Sequence, residues 1–105
     1  MGAGASKPTQ EEVAKRYKRC AAVASAHRHC VAASGPDAPS ACAALETSLL
    51  GCLAKDAAPR EFEVFTKCVN KAMSARGKGP TACAEETSAM RKAVAAAGLW
   101  PPPRP

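Results

Sequence analysis

A chain of 105 residues with a net charge of +6 has room for one small domain or for two helical hairpins sharing a core. Its apolar fraction rests mostly on alanine, and the only aromatics are Tyr17, Phe62, Phe65 and Trp100, so burial alone gives a thin core. No apolar run reaches the roughly 18 residues that span a bilayer, and the basic residues lack the aromatic platforms of a nucleic-acid site, so neither a membrane span nor nucleic-acid binding is expected.

The chain opens on "MGAGASK", with Gly2 and Ser6 in the N-myristoylation pattern; a disordered Gly/Ala/Ser leader is the competing reading. No secretory signal or Arg-rich presequence is expected here, because there is no apolar h-region, and the first fourteen residues lack arginine and include Glu11 and Glu12. Thr9 followed by Glu12 is a capping box, which predicts a helix start. Val13, Tyr17, Cys20, Ala24, His27 and Val31 then recur at helical spacing along one inward stripe, until "SGPD" stops the pattern. On the way, "KRYKR" at 15–19 carries four of the fifteen basic residues. Lys15, Arg16, Lys18 and Arg19 read first as a solvated helix face, and as membrane-contact candidates if Gly2 is acylated, since one acyl chain needs a second signal.

A second helix is predicted from Asp37 or Pro39, with Cys42, Leu45, Leu49 and Cys52 on its stripe. "DAAPR" breaks it, and a third helix presents Phe62, Phe65, Cys68 or Val69, and Ala72. After "RGKGP" a fourth helix carries Cys83, Thr87, Met90 and Val94 and ends at Gly98. Trp100 is expected to cap the apolar end of this second hairpin, and "PPPRP" cannot continue a helix; it reads as a solvated stop or a polyproline ligand. The chain therefore reads as all-α: leader 1–8, hairpin 9–55, second hairpin 56–98 and Pro-rich tail 99–105.

"CAAVASAHRHC" and "CAALETSLLGC" each place nine residues between two cysteines. Such cysteines lie about 15 Å apart on one helix, whereas a disulfide permits a Cα separation of about 7 Å at most, so each must reach the facing helix. Residues opposite one another in an antiparallel hairpin share a common centre, and Cys20 with Cys52 and Cys30 with Cys42 both centre on Pro36. The crossed alternatives need two registers at once, which leaves these two bridges. Cys68 and Cys83 remain to bridge the second hairpin, although a single pair has no second pair to check its register.

The doubled spacing, on helices joined by an eleven-residue connection, resembles the twin C-x9-C, or coiled-coil-helix-coiled-coil-helix (CHCH), proteins of the mitochondrial intermembrane space. The likeness covers residues 20–52, about a third of the chain; the pair Cys68 and Cys83, with fourteen residues between, departs from it. It implies import without a cleaved presequence and trapping by a disulfide-relay oxidoreductase, which would reconcile six cysteines with the missing signal. It also implies that the relay docks an aromatic or apolar residue beside a cysteine, for which Tyr17, Leu49 and Phe65, each three residues before one, are candidates; equally they are core residues.

"HRHC" at 27–30 sets two imidazoles beside a thiol, but its remaining zinc ligands would have to come from bridged cysteines, so no metal or cofactor is expected. Neither C-x-x-C, adjacent cysteines for Cu(I), a Gly-rich phosphate loop nor a nucleophile elbow occurs, so the chain reads as not an enzyme. The expected role is a non-catalytic accessory subunit or assembly factor of an inner-membrane respiratory-chain complex, the respiratory assignment coming from the resemblance. Alternatives are a myristoylated scaffold peripheral on the inner membrane, a metal or redox carrier, and a cytosolic acylated adaptor with reduced thiols.

Overall fold

A computed structural model describes residues 8–74 and 83–102. Gly2 and its leader, the turn at 76–80 and the tail beyond Pro102 lie outside the described residues. The protein is all-α: α1 (Gln10–Arg19), α2 (Ala21–Ser34), α3 (Ala38–Ala41), α4 (Ala43–Ala57), α5 (Pro59–Ser74) and α6 (Ala84–Ala96), with a 3₁₀ turn at Gly35–Asp37. Among the described residues no helix is long and apolar enough to cross a membrane.

The capping box at the start of α1 is present. The Glu12 N–H donates to the Thr9 hydroxyl at 3.1 Å, and the Thr9 N–H donates to the Glu12 carboxylate at 2.9 Å. That backbone donor and then the hydroxyl hold the Glu12 carboxyl below the usual carboxylate range. Gly35, at φ 55°, ends α2 in a conformation that a side chain would disfavour, and Pro36 and Pro39 occupy the first turns that follow. Pro59 opens α5 after a non-helical Ala58, where its missing N–H costs no helical bond.

The predicted first helix differs in one respect: it is broken at Cys20. There φ is −111° and ψ 21°, and the next break, at Cys42, has φ −108° and ψ 12°. Cys83, ahead of α6, repeats the conformation at φ −112° and ψ 32°. Each bridge thus joins a cysteine at a helix junction to one inside a helix, Cys52, Cys30 or Cys68. The junction at Cys20 lets α1 lean onto α4, where Arg19 meets Asp56 at 2.6 Å.

α4 sits at the centre, with α1 and α2 packed on it from one hairpin and α5 and α6 from the other. The core combines Cys20, Leu49, Leu50, Leu53, Ala54 and Ala58 with Met90, Val94 and Leu99, and Val13, Tyr17, Phe62 and Phe65 pack around it. Being covered on two sides, α4 also buries Leu50 and Leu53, which lie off the expected stripe of Cys42, Leu45, Leu49 and Cys52. In α6, Met90 and Val94 are buried as their spacing requires, and Arg91 reaches α4 to pair with Glu46.

Candidate functional site

The three disulfides define the frame. Cys20–Cys52, Cys30–Cys42 and Cys68–Cys83 have Cα separations of 6.1, 5.9 and 6.0 Å, within the range a bridge requires, and no free cysteine is found among the described residues. The two bridges of the first hairpin share one register about the Pro36 turn, so the nine-residue interval works as a spacer between two staples. The third bridge closes the second hairpin, as the sequence left it to do.

The three residues preceding cysteines take different positions. Leu49 is fully buried, whereas Tyr17 and Phe65 are half-buried against the core. Leu49 is thus accessible to a partner only before the hairpin closes. Lys15, Arg16, Lys18 and Arg19 are all exposed, with Arg19 engaged by Asp56. His29 is exposed, and His27 faces the Trp100 ring with centroids 6.2 Å apart. Cys68, Cys83 and Glu86 bring three potential ligand atoms together, but both sulfurs are bonded to one another, and the Glu86 carboxylate that remains is not a metal site by itself.

Trp100, expected to cap the second hairpin, packs against the shared core and also meets His27 of the first hairpin. Gly98, at φ 80°, turns the chain back beside Pro8, whose ring would lie 2.6 Å from any Cβ added there. This return carries Leu99 into the core and Trp100 onto α2 of the first hairpin. The Tyr17 hydroxyl fixes the return by donating to the Leu99 carbonyl at 2.5 Å. Its burial raises the phenol from 10.0 to about 12. The folded state then keeps a proton that the unfolded chain releases, so this stabilisation is complete below pH 10 and is lost as the pH rises towards 12. Tyr17→Phe should cost about 0.5–1.5 kcal/mol at neutral pH and flatten the alkaline fall in stability. The check is urea unfolding of both proteins across that range, alongside the phenolate absorbance of this single tyrosine. Ionisation at the ordinary pH in the folded protein would mean that the phenol is not buried under the returning tail.

The returning tail also completes a groove of about 620 Å³ with the outer faces of α1 and α2. Its apolar surface includes Ala14, Ala21 and Val31, and Lys18 and Arg28 stand among its lining residues. Val31, expected on the inward stripe, is 40% exposed here. It lies beyond Val23 and Ala24, the α2 residues packed on the core, and lines the groove. The stripe reading missed this groove because three separated segments build it and alanines line it. One signal was present: residues 13–36 hold five Lys or Arg and no Asp or Glu.

No protein-family model, no curated protein and no solved structure matches this chain.

Proposed function

We propose that the protein is a non-catalytic, disulfide-locked component of the mitochondrial intermembrane space that serves as an accessory subunit or assembly factor of a respiratory-chain complex. The observation that carries this reading is the pair of bridges in one register between two C-x9-C helices. This arrangement is consistent with the twin C-x9-C type, and three bridges suit an oxidising compartment. Helices held at fixed geometry offer a partner a surface that loses little conformational entropy on binding. The relay oxidoreductase would meet the chain before closure, while Leu49 is still accessible. The exposed Lys15, Arg16 and Lys18 also support a second reading, in which an acylated Gly2 and this basic cluster hold the protein on the inner membrane as a scaffold. A metal or redox carrier has less support, since all six cysteines are bridged.

The test is intact mass of the protein from its own cells, trapped with a thiol-blocking reagent, together with fractionation of the mitochondria. A chain six hydrogens lighter than its reduced form, released when the outer membrane is opened and migrating with a respiratory complex, is the expected result. A myristoyl mass on the chain lacking Met1 would select the scaffold. Six blocked thiols in a cytosolic fraction would overturn both.

A further inference from the structure

We infer that the groove along α1 and α2 is a docking site for an amphipathic helix whose apolar face carries large side chains and whose flanks are acidic. This rests on the accessory-subunit reading for the partner's role as a subunit, though not for the chemistry of the contact.

The argument begins with shape. The groove runs from Ala14 to Ala32 along two helices, roughly 25 Å at the rise of an α-helix, and the tail closes one side at Pro102. A surface of small side chains lets another backbone approach closely and leaves holes for large apolar knobs at i, i+3/i+4 and i+7. Strand addition, the other main-chain route to peptide binding, needs a sheet edge, and none exists among the described residues.

Charge then fixes the flanks. Lys18 and Arg28 line the groove, and no acidic residue falls between positions 13 and 36; Arg16 stands on the opposite face of α1, in a smaller cleft with Glu12 and Asp56. Arg19 is already paired to Asp56, whereas Lys18 and Arg28 make no ion pair among the described residues. A partner with Asp or Glu beside its apolar stripe matches this field, and a basic one is repelled.

Two other occupants fit less well. A lipid surface would be met by protruding Trp, Phe or Leu, yet the exposed large apolar residues among those described are Val31 and Val64, and Val31 lies in a concavity. A second copy would have to offer its exposed Val64 face on α5, where Arg60 and Lys67 stand one turn to either side beside Glu61 and Glu63, a face of mixed sign in place of acidic flanks.

The experiment uses the purified, fully oxidised chain and two synthetic amphipathic helical peptides without tryptophan. One is built of Leu, Ala and Glu, and the other replaces every Glu with Lys. Trp100 is the chain's single tryptophan and packs against His27, a groove residue, so its emission reports occupancy. The acidic peptide should bind saturably at one per chain, at least about tenfold more tightly than the basic one, and more weakly as salt rises. Lys18→Glu with Arg28→Glu should reverse the preference. Ala21→Phe, at an exposed position that tolerates the larger ring, should fill the groove and weaken binding about tenfold while leaving the circular dichroism unchanged. Equal binding of both peptides, indifference to Ala21→Phe, or binding to phosphatidylserine vesicles with none to either peptide would overturn the proposal. So would loss of acidic-peptide binding on N-myristoylation, since the chain's own acyl group would then be the occupant. Because this assay uses isolated protein, its failure leaves the compartment and redox state untouched, and a cytosolic location would leave a positive result standing.

Discussion

Replacing Cys20 and Cys52 together by alanine should remove about 3–4 kcal/mol of stability, from the chain-entropy cost of releasing a loop with a sequence separation of 32. Taking both cysteines away avoids a stray thiol and isolates the bridge. The other two bridges close shorter loops, with separations of 12 for Cys30–Cys42 and 15 for Cys68–Cys83, so each should be worth slightly less, about 3 kcal/mol. Each pair also loses some packing, because Cys20, Cys42 and Cys83 are all buried, so loop length is what separates the three. Against the roughly 5–15 kcal/mol that holds a typical domain together, any one loss is serious and two would unfold the chain. Guanidinium unfolding of the three paired variants, each with its other bridges confirmed by intact mass, measures the order. If the Cys20–Cys52 variant is no less stable than the other two, the loop-length account of this fold is wrong.

The pairing was legible because disulfide reach and antiparallel register are geometric constraints that spacing alone can satisfy or violate. Cys20 with Cys52 and Cys30 with Cys42 pass that test together, and the structure contains both. Cys68 with Cys83 followed by elimination, without a second pair to check it. The helix stripes were legible where one face is covered, as for Met90 and Val94 on α6. They failed where a helix has two covered faces: Leu50 and Leu53 lie off the cysteine stripe of α4 and are buried because the second hairpin packs there. The breaks at Cys20 and Cys42 left no local sign, since neither glycine nor proline marks them and the apolar spacing runs straight through. The contact of Trp100 with His27 left no sign for a related reason. Its position depends on the chain reversal at Gly98 and on a hydrogen bond from Tyr17, more than eighty residues away in sequence.

Leu50→Ala should cost about 2–5 kcal/mol, the transfer free energy of the lost side chain plus the cavity it leaves. Leu50 is fully buried, and its cluster unites α4 with Met90 and Val94 of α6, so the loss should fall on both hairpins at once. The Glu46–Arg91 pair joins the same two helices, though a half-exposed ion pair adds much less. Residues 9–55 and 56–98 should therefore unfold in a single transition, with amide exchange accelerating alike in α2 and α5 when Leu50 is truncated. The alternative is two units, each held by its own bridges and merely touching. In that case Leu50→Ala would speed exchange in the first hairpin, and protection around Cys68 and Cys83 would stay unchanged. Calorimetry supplies a second criterion, because separate units would give a van't Hoff enthalpy well below the calorimetric one. The outcome bears on function as well as on folding: one cooperative unit keeps the α1 and α2 groove at a fixed angle to the second hairpin, so a partner bound across both would meet a preformed surface.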